Sequence, residues 1–444
     1  MRRYHVTTFG CQMNAHDSER IRGMLEELGM GEAPRIEDAD LMVFNTCTIR
    51  EKAESRLAAH LGLAKALKEA GPERMLAVGG CFAEVQRERL FEQFPQVDFA
   101  FGPGSIAELG EWLKAEQNGT PRGSFGTGEE RRFAAGLPAR RERPFQAWVQ
   151  ISMGCNSVCS YCIVPTVRGK QMSRSPTEIL GEVECLAADG VREITLLGQN
   201  VNSYGRDLAA DRRVTFAELL RECDVIDGIE RVRFTSPHPK DFRRDVIAAM
   251  AECASVCEHA HLPAQSGSSR VLKAMRRSYD RDRFLGLVGE LRAAIPDLAI
   301  TTDLIVGFPG ETDEDFAGTL SLVEEAGLDG AYTFVYSPRY ETEAASLPGQ
   351  VPEKVKRERI ERLIERVQAT AAERNESRVG GIEQVLVEGR SRTDEALLRG
   401  RTRRNTMVNF AGAAAPGDLV DVLIESATST TLRGTQPAPI SDTS

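Results

Sequence analysis

The fold is decided by one stretch, Met153-Gly154-Cys155-Asn156-Ser157-Val158-Cys159-Ser160-Tyr161-Cys162-Ile163-Val164-Pro165. Its three cysteines are spaced to bind three irons of a cubane iron–sulfur cluster, which leaves the fourth iron without a protein ligand. An open iron can chelate S-adenosylmethionine and reduce its sulfonium, and the resulting 5′-deoxyadenosyl radical is chemistry that belongs to the cofactor. A zinc site would need a fourth ligand nearby, whereas the next histidine along the chain is His238. The spacing therefore predicts a radical-generating [4Fe-4S] cluster.

The composition is that of an ordinary soluble protein, because 41% of the 444 residues are hydrophobic and 27% are charged. This length suggests about three domains. No apolar run approaches the roughly 20 residues of a membrane span, and the N-terminal residues lack a signal-peptide core. We therefore expect a cytoplasmic protein with no membrane partner. Ten cysteines in a reducing compartment favour metal ligands or core thiols over disulfides.

Three further cysteines occupy equivalent positions near the N-terminus. Residues 1–118 alternate short apolar strands, at 4–9, 41–45, 75–78 and 97–101, with helical segments, which predicts a parallel α/β domain. Cys11, Cys47 and Cys81 each follow one of these strands. The carboxyl ends of parallel strands form a ligand crevice where helix N-termini favour anions. Each cysteine alone could be a small residue at a turn, but together they predict a second cluster.

The remaining chain divides into a linker, a core and a small barrel. Residues 119–143 are rich in Gly, Arg and Glu and are predicted to be a linker. Residues 144–374 contain six strand–helix units, which predicts a partial (β/α)6 barrel. Residues 376–437 contain short apolar stretches punctuated by Gly and Arg, which predicts a small β-barrel, with a polar and disordered tail after it. The predicted class is α/β.

Other polar and sulfur-bearing residues have less distinctive surroundings. Gln199, Gln265 and Asp303 follow or end predicted strands and are candidate cofactor contacts, although each could equally satisfy buried backbone groups. Cys253 and Cys257, with the nearby histidines, imitate a metal site but fit core packing better.

The charge distribution is uneven although the net charge is −10. Residues 120–174 hold nine basic residues against three glutamates, and residues 390–404 hold six arginines against two acids. Either stretch could be a solvated face, but both also fit the docking of a polyanion.

The order of motifs resembles the MiaB type of the radical S-adenosylmethionine methylthiotransferase family. The N-terminal motifs are Thr8-Phe-Gly-Cys-Gln-Met-Asn14, Asn45-Thr-Cys-Thr-Ile-Arg-Glu-Lys-Ala53 and Gly80-Cys81. The core motifs are Leu196-Leu-Gly-Gln-Asn-Val-Asn-Ser-Tyr204, His261-Leu-Pro-Ala-Gln-Ser-Gly-Ser268 and Asp303-Leu-Ile-Val-Gly-Phe-Pro-Gly-Glu-Thr312. The C-terminal segment is similar to the RNA-binding TRAM domain. Met153, Glu84 and Tyr340-Glu341 depart from the family pattern, and these departures leave the cluster ligands intact.

The resemblance implies a division of labour between two [4Fe-4S] clusters. Cys155, Cys159 and Cys162 would hold the radical cluster, and Cys11, Cys47 and Cys81 would hold a cluster that carries sulfur. One S-adenosylmethionine would methylate that sulfur and a second would be cleaved to the radical. The methylthio group would then enter C2 of N(6)-isopentenyladenosine beside the tRNA anticodon. No general acid or base is implied.

The implied partners are the anticodon arm of tRNA, a low-potential donor of the flavodoxin or ferredoxin type, and a sulfur donor; a monomer is expected. Within the same chemistry, the target could be threonylcarbamoyl-adenosine in tRNA or an aspartate of a ribosomal protein. The alternatives of another class are an iron–sulfur electron carrier and an RNA-binding module alone.

Overall fold

The computed structural model describes residues 2–48, 51–115, 122–128, 130–339 and 341–437, and the side chains of residues 51–55 are not described. Ile49 and Arg50 of the second motif, Tyr340 of the third departure and the tail after residue 437 lie outside this range. The predicted α/β class is confirmed, with an N-terminal parallel sheet, a central partial barrel and a closed C-terminal barrel.

The N-terminal sheet has six parallel strands in the order β2-β1-β3-β4-β5-β6. Strand β3 is buried along its whole length because helices cover both faces, as its apolar sequence predicts. Met42 and Phe44 pack on one face of the sheet, and Leu41 and Val43 on the other. The strands are β1 Arg3–Thr8, β2 Gly31–Glu32, β3 Leu41–Thr46, β4 Met75–Gly80, β5 Phe99–Phe101 and β6 Arg122–Ser124, and the helices are α1 Gln12–Glu27, α2 Glu51–Ala70, α3 Cys81–Gln86, α4 Arg89–Gln93 and α5 Ala107–Lys114.

The segment expected as a linker contributes to this sheet. Strand β6 pairs in parallel with β5, with Phe99 opposite Arg122. Arg131 further along is 7% exposed. Sequence pattern does not indicate this strand, because Arg-Gly-Ser contains no apolar residues in alternation with polar ones.

The central region confirms six parallel strands in a partial barrel. Two three-stranded sheets, β11-β10-β7 and β12-β13-β14, meet through a parallel bridge between Val232 and Val256. The strands are β7 Gln146–Gln150, β8 Ser152–Met153, β9 Met172–Ser173, β10 Glu193–Leu197, β11 Arg231–Phe234, β12 His259–His261, β13 Ala299–Val306 and β14 Gly330–Val335. The helices are α6 Val164–Arg168, α7 Pro176–Ala188, α8 Phe216–Asp224, α9 Arg244–Glu252, α10 Ser269–Ala274, α11 Arg281–Ala294, α12 Asp313–Glu325 and α13 Glu353–Glu376.

The C-terminal strands close into a barrel in the order β15-β16-β17-β19-β18. Its interior is apolar and includes Val385, Val408 and Phe410. The fifth strand, β19, was not predicted. The strands are β15 Ile382–Arg390, β16 Leu398–Thr402, β17 Met407–Ala411, β18 Leu419–Ala427 and β19 Thr431–Thr435.

The last residue of β16 and the turn that follows it, residues 402–406, dock against the amino ends of the central strands. Arg233 on β11 donates to Thr402 O and Arg403 O at 2.8 and 2.9 Å. Arg403 in turn binds the Glu258 carboxylate at 2.7 Å. We call residues 402–406 the docking turn. Within the described ranges, no helix combines the length and apolar character needed to cross a bilayer.

Candidate active site

The three N-terminal cysteines follow three neighbouring strands. Strand β1 pairs with β3, and β3 pairs with β4. Cys11 is the N-cap residue of α1, Cys47 directly follows β3, and Cys81 begins α3. Parallel strand ends therefore bring all three cysteines to the same edge of the sheet, where helix N-termini favour negative charge.

A buried amide network ties the Cys11 and Cys47 loops together. Asn14 Nδ2 donates to Asn45 Oδ1 and to Thr46 O, each at 3.1 Å. Asn45 Nδ2 donates back to Asn14 O at 2.9 Å. Gly10 allows the two loops to approach, because a Cβ there would lie 2.5 Å from Cys47 Cβ.

The second cysteine trio lies on the loop between β8 and α6. The loop is fastened by main-chain bonds: Cys155 N–H donates to Gly169 O, and Ser160 N–H donates to Met275 O, both at 3.1 Å. Burial, together with the neighbouring Cys159 and Cys155, raises the pKa of Cys162 to about 12. Three crowded thiols are held as thiolates only if a metal centre compensates their charge.

Two N–H groups are directed at sulfurs of this loop. Arg277 Nη1 donates to Cys159 Sγ and the Ser157 N–H donates to Cys155 Sγ, both at 3.4 Å. Arg277 is itself fixed by Tyr279 Oη at 2.9 Å and Pro263 O at 3.1 Å. Hydrogen bonds to ligating sulfurs tune the potential of an iron–sulfur cluster. Arg277 was missed because it lies in a charged stretch far from the cysteines in sequence.

The three other predicted contacts lie near strand ends, as expected. Gln199 Oε1 accepts a hydrogen bond from the Gly154 N–H, which attaches it to the cysteine loop. Its Nε2 is buried and has no hydrogen-bond partner among the described residues. Gln199 therefore combines a structural contact with a spare donor.

Gln265 and Asp303 lie side by side through the main chain. Gln265 N–H donates to Asp303 O at 2.8 Å, and Gln265 O accepts from Ile305 N–H at 2.9 Å. Asp303 Oδ2 lies 3.4 Å from His261 Nε2. Contact with a cofactor stays a prediction for all three residues.

The two cysteine trios are candidate ligands of iron–sulfur clusters. In the described ranges, no three His, Cys, Asp or Glu side chains form a ready-made site for a single metal ion. Some of the sulfurs nevertheless lie close enough to affect one another's pKa. In addition to burial, Cys159 and Cys155 raise the pKa of Cys162, and Cys11 raises the pKa of Cys81. Thiolate trios of this kind are the ligands of cubane clusters.

The remaining cysteines do not join either trio. All ten cysteines lie in the described part of the chain and none forms a disulfide. Cys223 and Cys253 belong to the apolar core of the barrel, and Cys257 is 2% exposed. His259 Nε2 and His261 Nδ1 each lie 3.0 Å from Thr301 Oγ1, not on a thiol. This geometry agrees with the core-packing interpretation.

Family models match three parts of the chain: the uncharacterized protein family UPF0004 at residues 3–102, the radical SAM superfamily at 149–323 and the TRAM domain at 376–436. A solved structure of the radical S-adenosylmethionine methyltransferase TsrM from Kitasatospora setae is similar, with a TM-score of 0.55 and 16% identity over 78% of this chain and 77% of that one. This similarity shows the fold. The fold and the family models together define a radical S-adenosylmethionine enzyme.

Curated relatives identify the family more closely. A protein of Acidothermus cellulolyticus that is named tRNA-2-methylthio-N(6)-dimethylallyladenosine synthase is 49% identical to this chain. The match covers 96% of this chain and 86% of the relative. The corresponding protein of Carboxydothermus hydrogenoformans is 47% identical, covering 95% of each. The chain belongs to the tRNA-2-methylthio-N(6)-dimethylallyladenosine synthase family, which confirms the resemblance drawn from its motifs.

Proposed function

We propose that this enzyme transfers a methylthio group to C2 of N(6)-isopentenyladenosine in tRNA, at the position beside the anticodon. The observation that carries the proposal is the pair of cysteine trios joined by one short helix. Helix α6 begins two residues after Cys162, and both its residue Val167 and its N-cap residue Ile163 pack with Cys81. A sulfur-bearing site and a radical site so connected suit a reaction that needs both.

The relatives support this substrate over the alternatives. Relatives 47–49% identical over nearly the whole chain carry the name of the isopentenyl-type synthase. The threonylcarbamoyl and ribosomal-protein targets are therefore not favoured, and an electron carrier would not need the central barrel.

The chain's own residues hold and orient the reacting groups. Cys155, Cys159 and Cys162 hold a [4Fe-4S] cluster that binds S-adenosylmethionine, and Cys11, Cys47 and Cys81 hold a second cluster that carries sulfur. When bound, these groups supply radical formation and the transferable sulfur. Gln199, Gln265 and Asp303 are proposed to contact S-adenosylmethionine.

Three external partners complete the proposal. The TRAM barrel and the mouth of the central barrel bind the anticodon arm of tRNA. A flavodoxin- or ferredoxin-type protein supplies low-potential electrons, and a sulfur donor replenishes the N-terminal cluster after turnover.

The test is nucleoside mass spectrometry of tRNA from a strain that lacks its own synthase and expresses this chain. We expect 2-methylthio-N(6)-isopentenyladenosine with the unaltered chain and none with C47A. The matched control is C185A, because Cys185 is exposed on α7 and belongs to neither trio. A methylthio product on threonylcarbamoyl-adenosine, or no product from a chain loaded with both clusters, contradicts the proposal.

A further inference from the structure

Arg168 is the last residue of α6 and connects the two cysteine sites. Its side chain is 4% exposed. On the main chain, Arg168 O accepts from Arg131 Nη1, and the carbonyl of the next residue, Gly169, accepts from the Cys155 N–H. The main chain at Gly169, next to Arg168, is therefore fastened to the cysteine loop between β8 and α6, which we call the radical loop.

The side chain of Arg168 is directed away from that loop, to the N-terminal cysteines. Its Nη2 lies 3.6 Å from Asp17 Oδ2 on α1. Burial alone would lower the pKa of Arg168, but Cys81, Asp17 and Cys11 raise it above its usual value. Cys81 also contacts Ile163 and Val167 around the same helix. The guanidinium also hydrogen-bonds the Cys81 side chain, so it is a buried cation directly beside the N-terminal cysteines.

The pairing with Asp17 does not account for this arginine. Arg168 Nη2 and Asp17 Oδ2 are both buried, and neither has a hydrogen-bond partner among the described residues. Asp17 Oδ1 is already used by His16 Nδ1 at 3.2 Å. A buried N–H without an acceptor is costly, and a cluster on the adjacent thiolates offers an anionic acceptor that offsets the cost.

We propose that Arg168 is a positioning residue for the N-terminal iron–sulfur cluster, which it neutralises and hydrogen-bonds while anchoring it to the radical loop. The proposal rests on the second cluster of the proposed function. A nearby cation and N–H donor stabilise the reduced cluster and raise its reduction potential. Loss of the guanidinium shifts that potential in the negative direction.

The test isolates the N-terminal cluster in the full-length C155A/C159A/C162A variant. The protein is reconstituted anaerobically with iron and sulfide, and iron per chain and the midpoint potential are measured with and without R168Q. We expect R168Q to lower the midpoint potential or to lose the cluster from a chain with unchanged circular dichroism. R168K retains the charge but not the guanidinium geometry, so we expect an intermediate potential and a folded chain.

The matched control is R174Q, which removes another buried arginine. Arg174 binds Gln150 O and Glu182 at 2.8 and 2.6 Å, within the central region. We expect the potential of the R174Q cluster to equal that of the parent. Equal potentials and iron contents in R168Q and the parent overturn the role of Arg168 while leaving the proposed function intact. A parent that binds no cluster overturns both.

Discussion

Gly154, directly before the first cysteine of the radical loop, shows how one residue sets the site. Its φ is +77°, and a Cβ there would lie 2.2 Å from Lys170 O. A side chain would therefore meet both backbone strain and a collision with main-chain atoms, which cannot move aside as a flexible side chain can.

We predict that G154A displaces the loop and lowers the occupancy of the radical cluster. Strain of about 1–3 kcal/mol corresponds to a loss of about 5- to 150-fold in the population of the ligating geometry. Iron content and the 5′-deoxyadenosine released from S-adenosylmethionine measure the effect. The control is G181A in α7, where an added Cβ meets no atom within 4 Å; an unchanged iron content in G154A contradicts the prediction.

The carboxylate of Glu311 accepts hydrogen bonds from the N–H groups of Gly307 and Phe308. Burial raises its pKa from 4.5 to about 7, against the opposing effect of Arg359. The folded chain therefore binds this proton more tightly than the unfolded chain, and the contribution to stability falls as the pH rises from 4.5 to about 7.

We expect E311Q to remove this contribution to the pH dependence. Midpoints of thermal unfolding between pH 5 and 8, compared with the parent, measure the difference. A parallel pair of curves contradicts the assignment.

The site was predictable from sequence to the extent that its residues carry a spacing or a repeated position. Cys155, Cys159 and Cys162 were predicted as cluster ligands from their spacing. Cys11, Cys47 and Cys81 were predicted because each follows a predicted strand. Arg168 and Arg277 had neither, because an arginine in a charged stretch looks like part of a solvated face until the fold buries it.

Among the elements, the docking turn changes how the arginine-rich stretch is understood. Arg403 binds Glu258, and Arg404 binds Asp329 at 2.7 Å. Arg401 binds Glu388 at 3.0 Å. Half of the six arginines, which fitted either a solvated face or a docking face for a polyanion, are thus engaged in ion pairs within the protein.

We predict that a charge exchange isolates the contribution of the turn. R403E and E258R should each lower stability, by about 1.5–3 kcal/mol for the loss of a charged hydrogen bond, and the double exchange should recover part of it. Thermal unfolding of the four proteins measures the coupling. Strictly additive effects of the two exchanges contradict the pairing.

For the whole molecule, tRNA binding has to be reconciled with a net charge of −10. The exposed arginines of the C-terminal stretch, Arg390 and Arg392, lie at and just beyond the end of β15. Local cations on an acidic protein bind RNA phosphates, whereas the negatively charged surface around them repels RNA.

We predict that R390E/R392E weakens tRNA binding and reduces the dependence of log K on log salt by about 2, near one for each phosphate that an arginine no longer neutralises. Fluorescence anisotropy with labelled tRNA across a salt series gives the slope. R212E/R213E, with two exposed arginines before α8, controls for net charge. Equal slopes in the two double variants contradict the assignment.

The arrangement of the fold followed from alternation of strands and helices, and the exceptions share a cause. Strands β6 and β19 are short and contain Arg, Gly and Thr or Ser, and each pairs in parallel with a strand that is distant in sequence, β6 with β5 and β19 with β17. The closed barrel needs β19 to join β17 and β18, and local pattern does not reveal that requirement.

Arg231 connects the central barrel to the C-terminal barrel through a buried charge. It is 0% exposed, and its guanidinium donates to Arg401 O and Gln384 O at 2.8 Å each. Without the C-terminal barrel, this buried charged group would lose those two acceptors. Exchange of the C-terminal barrel for an unrelated module therefore requires a compensating change at Arg231, which couples the sequences of the two barrels.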